Sequence, residues 1–266
     1  MEAETFSNAG VVEFSNRTFV NVHLRTDMDK AVAERYKVGP IPVTFLLSPV
    51  GEPVSTFLGY LPPEDYRRAL EKALVAHKKL VEFAPKLKAA PEDPALLSET
   101  AGLYEDLGDS KKAADALGRA AAKTAGAKEH GALLLRAFKL LNDLDSDDEV
   151  NASMSGIADR LDALDADGKL GLKDDAAYVR AMVDCNKESL DAALKKLEEL
   201  VSKWPDGDRA PDSLLVLANI YHHAKEDNAK AEKILRSMME KYAKTEFADR
   251  AKAMLEHMKK HAEKGK

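Results

Sequence analysis

The sequence predicts an α+β unit in its first third, followed by an all-α solenoid of helical hairpins, and three observations carry that prediction. Apolar runs of strand length and strand periodicity occur before Leu61, whereas the chain beyond Pro62 shows helical periodicity almost without interruption. Pro85, Pro91 and Pro94 cluster between the two regimes. Beyond them, small residues recur in pairs about twelve positions apart, a spacing that lets the two helices of a hairpin approach closely. The expected organisation is a first domain over residues 1–84, a linker over 85–94 and a helical repeat domain over 95–266.

Taken in order, residues 19–25 place Val20, Val22 and Leu24 on one side of an expected strand and polar groups on the other. Residues 27–36 read as a short helix capped by Asp27 or Asp29. Residues 43–47 are apolar or β-branched throughout, as in a strand covered on both faces. Pro49 and Gly51 supply a tight corner, and residues 54–60 return as the second arm of a hairpin. A helix then starts at Pro62 and Pro63, where a missing N–H costs nothing and Glu64 and Asp65 meet the positive end of the dipole. Its expected buried face is Tyr66, Leu70, Ala73, Leu74, Leu80 and Val81.

At 266 residues the chain has room for about two domains. The longest apolar runs, such as 43–47 and 214–218, fall far short of the ~20 residues of a membrane helix. Residues 1–4 lack the basic and apolar pattern of an export signal, so a cytoplasmic location is expected of the chain as it stands. A net charge of -6 argues against a nucleic-acid or anionic-lipid surface. The basic stretch 259–266 is the exception, and it reads as a solvated, frayed helix end. Cys185 is the sole cysteine, which excludes an intrachain disulfide and two-cysteine redox chemistry within this sequence.

In the first domain, Tyr36-Lys37-Val38-Gly39-Pro40-Ile41-Pro42, then Phe45-Leu46-Leu47-Ser48-Pro49-Val50-Gly51, then Gly59-Tyr60-Leu61-Pro62-Pro63-Glu64-Asp65-Tyr66, resembles the C-terminal part of a thioredoxin-like domain. The resemblance covers roughly residues 1–74. It implies a cis bond before Pro42 and a substrate groove at Ile41, Pro42 and Val43, although Val43 stands where family members usually carry Thr. Residues 1–6, 11–14 and 19–22 resemble the segment downstream of the Cys-x-x-Cys in that family, so the cysteine pair and the central first strand would precede Met1. The implied unit is therefore incomplete, lacking its first strand and active-site turn, and a sheet without its middle strand leaves two open rows of backbone groups. On the plainer alternative, Pro42 is a turn proline in a small α/β cap.

Beyond the linker, Ala101 with Tyr104, Gly108, Ala113, Leu117 and Ala120 matches the small-x-x-aromatic, then Ala-x-x-x-large-x-x-Ala pattern of tetratricopeptide repeats. Ala181 with Ala193, Leu197, Leu200 and Pro205 repeats it, as does Ala218 with Tyr221, Ala231, Leu235 and Met238. Residues 131–142 and 150–164 resemble a degenerate unit, and residues 248–260 a capping helix. Residues 241–251 are similar to junctions in tetratricopeptide proteins of bacterial envelopes, with Ala243 in place of a proline. The alternative is a plain helical bundle.

Asp165, Asp167, Gly168 and Asp174 are spaced like part of a calcium loop, but Ala163 occupies the first ligand position, so a helix-connecting loop is expected. His222 and His223 are adjacent on a helix and diverge, unlike a metal pair. There is no Gly-rich phosphate loop, Gly-x-Ser-x-Gly or His-Glu-x-x-His motif. Cys185, beside apolar Met182 and Val183, reads as a packed thiol rather than a nucleophile. No cofactor and no metal are expected. The expected function is non-catalytic binding of a protein or peptide partner. The alternative is a thiol-disulfide oxidoreductase whose cysteines and export signal, for the periplasm or beyond, lie upstream of a misplaced start.

Overall fold

A computed structural model describes residues 1 and 3–264, with side chains to residue 260. The end of the basic tail, residues 265–266 and the side chains from 261, lies outside the described residues. The chain divides into two compact units, Met1–Ala116 and Leu117–Lys266.

In the first unit, α1 (Ala9–Thr18) begins where the Asn8 side chain accepts the N–H groups of Gly10 and Val11. Its one buried residue, Val11, packs on Tyr66 and Leu70 together with Phe14 and Phe19. The short α2 (Lys30–Arg35) leads into a hairpin of β1 (Val43–Leu47) and β2 (Pro53–Leu58), paired antiparallel with Val43 opposite Leu58. The Ile41–Pro42 peptide bond is cis. Behind the hairpin lies α3 (Pro63–Ala89), whose buried face is Tyr66, Leu70, Ala73, Ala76 and Phe83. Leu46, Val54 and Phe57 of the hairpin pack with that face and with Leu103 and Leu107, near the end of α4 (Pro94–Asp106). Ser55 Oγ donates to the Leu107 carbonyl at 2.8 Å, and the fully buried Thr5 donates to the Leu61 carbonyl at 2.6 Å. Each satisfies a carbonyl that water would otherwise have to reach.

Several expectations are corrected. Residues 19–25 form no strand: among the described residues no second backbone takes ladder hydrogen bonds from this run, and Val20 is 95 % exposed. β1 is half-buried rather than covered on both faces, and Leu47 is exposed. The only sheet among the described residues has two strands, which falls short of a thioredoxin-like sheet. In α3, Val81 faces solvent, and Ala76 and Phe83 take the buried positions further along the helix. Pro85 does not end the helix. The carbonyl it leaves unpaired, four residues earlier, belongs to exposed Val81, where solvent can satisfy it.

The helix α5 (Ser110–Lys123) runs across the division between the units. The second unit continues as α6 (Ala127–Asn142), α7 (Asp148–Leu164), α8 (Lys173–Asn186), α9 (Leu190–Lys203), α10 (Ala210–His223), α11 (Asn228–Lys241) and α12 (Glu246–Lys264). From α6 onward each helix packs on the next, and α6 also reaches α8 as α10 reaches α12. Such neighbour-on-neighbour packing is the pattern of stacked helical hairpins.

The turns repeat as well as the helices. Gly108, Glu188 and Glu226 close the turns after α4, α8 and α10 with φ of 75°, 56° and 53°. In each turn the next residue donates its N–H back into the helix just ended: Asp109 to Tyr104, Ser189 to Asp184, Asp227 to Tyr221. A left-handed residue followed by a backward hydrogen bond is how a helix stops and its orphan carbonyls are satisfied.

Candidate binding surfaces

The alanines expected at helix crossings, Ala101, Ala113, Ala181, Ala193, Ala218 and Ala231, are all fully buried. A methyl group there is as much as the spacing between helix axes admits. Tyr104 is half-buried with Lys112 Nζ 5.6 Å above its ring, and Gly108 is exposed in its turn. Tyr221 is buried and its hydroxyl donates to Glu198 at 2.6 Å, while Lys230 lies 3.0 Å from the same carboxylate. The Tyr221 and Lys230 contacts hold the Glu198 carboxyl below its ordinary range.

At the other end of the chain, Ile41 is 67 % exposed, Pro42 is exposed and Val43 opens β1 half-buried. The hydrogen bond from Gly59 N to Pro42 O defines which groups of β1 turn inward. Alternation along the ladder then sends the N–H and C=O of Val43 and Phe45 to the outer edge. A shallow depression of ≈ 230 Å³ near Tyr36 and Gly51, whose hydroxyl and carbonyl are hydrogen bonded at 3.0 Å, does not include Ile41, Pro42 or Val43.

A cleft of ≈ 290 Å³ lies over α8, between α7 and α9. Arg180 spans two carboxylates on its α7 wall, Asp162 at 2.5 Å and Asp159 at 2.7 Å, and Lys173 reaches the Asp162 carbonyl at 3.1 Å. On the α9 wall Lys196 pairs with Asp184. Lys203 instead lies 4.5 Å over the Trp204 ring, with no carboxylate partner among the described residues. Glu199, one turn away, is likewise without an ion pair among them. Lys173, Arg180 and Lys196 are thus each matched to a carboxylate, and Lys203 on Trp204 presents a cation and an aromatic face together. Sequence reasoning missed this site. Its signal is a spacing of seven, Lys173 with Arg180 and Lys196 with Lys203, which places like charges on one side of each helix.

The other candidate groups resolve structurally. Asp165 is fully buried and accepts the N–H groups of Leu170 and Leu172, both at 2.8 Å, so it braces a helix-connecting loop. Among the described residues no cluster of His, Cys, Asp and Glu could hold a metal ion. His222 bonds Asn228 at 2.5 Å. Burial, then the neighbouring Asp184, pushes the Cys185 thiol above its ordinary pKa, the opposite of what a nucleophilic thiolate requires. No helix among the described residues is long and apolar enough to cross a membrane.

No family model matches the chain, and no curated protein matches it. Among solved structures it is similar to the crystal structure of MamA, at 22 % identity and a TM-score of 0.42, over 70 % of this chain and 98 % of that one.

Proposed function

We propose that the chain is a non-catalytic scaffold, in which a tetratricopeptide-like array from residue 95 onward binds a protein or peptide partner. The observation that carries this reading is the α7–α9 cleft, where Lys203 stacks on Trp204 beside cations already matched to their own carboxylates. A segment bearing one acidic residue next to an apolar one would pair the lysine and cover the indole, without disturbing the ion pairs around it. In the same proposal Ile41, Pro42 and Val43, the residues assigned to a groove by the thioredoxin-like resemblance, form a second contact rim. Its support is the exposure of Ile41 and the open outer edge of β1.

The test is selection of peptides from a displayed library against the full chain, followed by titration of Trp204→Ala and Lys203→Glu variants whose helix content is confirmed by circular dichroism. Selected acidic-apolar peptides should bind at least about tenfold more weakly to both variants. Selection that yields no binder, or binders indifferent to both changes, removes the proposal.

A further inference from the structure

The solvent side of α3 changes character halfway along. In its first half Arg67 pairs with Glu64 and Glu71, Arg68 with Asp65, and Lys72 with Asp106. Beyond Lys72 the pairing stops: Lys78, Lys79 and Glu82 have no ion pair among the described residues, and Val75 and Val81 are 54 % and 61 % exposed. Lys78 precedes Glu82 by one turn, which is the weaker order for a pair within one helix. Lys86 follows Glu82 in the better order, but its ammonium lies 5.0 Å over the Phe83 ring instead. These solvent-facing residues also share a spacing. Glu71, Val75, Lys78, Glu82, Pro85 and Ala89 succeed one another at alternating intervals of four and three, as in a heptad seam. The other side of α3, with Tyr66, Leu70, Ala73, Ala76 and Phe83, is already used by the core, so this second seam is turned to solvent.

We propose that this seam packs antiparallel on the same seam of a second copy, so that the chain forms a twofold dimer through α3. The charges and the apolar residues of the seam are what favour a second copy, because their order is self-complementary. With the twofold axis beside residue 80, Lys78 of each copy meets Glu82 of the other, and both of these side chains lack an ion pair within one copy. The same register sets Val75 against Pro85 on either side of that double pair, and both are exposed in the single copy. Along one flank the two Val81 side chains meet at the axis, which covers the other exposed valine of α3. A twofold operation satisfies each of these contacts twice, which is how an isologous interface closes. The opposite flank brings the two Lys79 together, a cost that their long side chains relieve by reaching into water. From Glu71 to Ala89 the seam runs about 27 Å at 1.5 Å per residue, a single helix pair. Such a contact lies at the small end of specific interfaces, so the dimer is weak and concentration-dependent. Nothing in it depends on the α7–α9 cleft.

The experiment is sedimentation velocity on the full chain over a concentration series, repeated for Lys78→Glu, for Glu82→Lys, for the double variant and for an equimolar mixture of the two single variants. All of these positions face solvent, so helix content should be unchanged by circular dichroism. The expected result is a dimer that each single substitution loosens about tenfold or more, because two pairs become like-charged at once. The double variant and the mixture should both recover it, since each restores opposite charges across the axis. In a Cys185→Ser background, Val81→Cys should link two copies on mild oxidation and Lys88→Cys, off the axis on the same helix, should not. A chain that is monomeric at every concentration overturns the proposal. So does a dimer indifferent to both single substitutions, which would be built on another surface. Loosening without recovery in the double variant or the mixture overturns it as well, because the charges would then not be paired across copies.

Discussion

Arg209 Nε donates to Asp175 Oδ1 at 2.5 Å, joining the start of α10 to the start of α8 across 34 positions of sequence. Asp175 is 6 % exposed and the adjacent Asp174 5 %, and Asp174 accepts the Arg209 backbone N–H at 3.2 Å. The Arg209 guanidinium also lies 5.6 Å from the centre of the Tyr178 ring, whose hydroxyl burial pushes up to about 12. Asp175 is thus held under cover by the guanidinium, which also lies against an aromatic face, and Asp174 by the Arg209 backbone N–H.

Removing that guanidinium should leave a buried carboxylate uncompensated. Arg209→Met is expected to cost about 3–5 kcal/mol in urea unfolding, and the double variant Arg209→Met, Asp175→Leu to recover most of the loss. Equal instability of the single and double variants would show that the pair is not coupled.

Asp165 gives a pH-dependent prediction. Burial opposes its charge, but the N–H groups of Leu170 and Leu172 and the nearby Lys173 outweigh burial and hold the carboxyl below its ordinary range. A carboxyl whose folded pKa is depressed contributes stability that is present above the unfolded pKa, near 3.9, and is lost as pH falls through the folded value. Asp165→Ala should therefore cost about 2–3 kcal/mol at neutral pH, and the gap from the parent should narrow in denaturation curves taken below about pH 4.

The turn residues predict opposite signs at equivalent places. Gly108→Ala meets no atom within 4 Å and should lose about 1 kcal/mol from its φ of 75° alone. Glu188→Gly, at φ 56°, should gain up to about 1 kcal/mol by relieving a left-handed non-glycine residue. Thermal unfolding of the two variants decides whether these turns are structurally alike.

Packing predicts a contrast along the helices. Ala181→Leu and Ala193→Leu, at fully buried crossings, should each cost about 1–3 kcal/mol, whereas Val81→Ala on the solvent face of α3 should stay within about 0.5 kcal/mol. A large loss at Val81 would mean that something covers this face in solution.

The Cys185 thiol, held up by burial, should react with a thiol reagent far more slowly than the same chain in denaturant. Insulin reduction by the chain should match that of its Cys185→Ser variant, and turnover above that control would revive a redox reading.

The hairpin of residues 43–58 was legible because Pro49 and Gly51 separate two β-prone runs, and local turn chemistry depends on few neighbours. The helices beyond Pro62 were legible for the same reason, since their periodicity is set within one or two turns of backbone, whereas α1, capped by Asn8, was not read from the sequence. The run at Val20, Val22 and Leu24 misled because alternation specifies only a chain able to be a strand, while pairing requires a partner that alternation does not supply.

What the sequence determined by itself is therefore the local grammar: where helices start and stop, where the chain turns, and that small residues recur where helices must cross. Only the tertiary structure decided that Lys203 stacks on Trp204 beside paired cations, that Arg209 bridges to Asp175, and that the outer edge of β1 is open. The physical reason is range. Backbone propensity and capping act over a few residues, whereas an ion pair, a cleft or an unpaired edge depends on which distant segments the folded chain brings together or leaves apart.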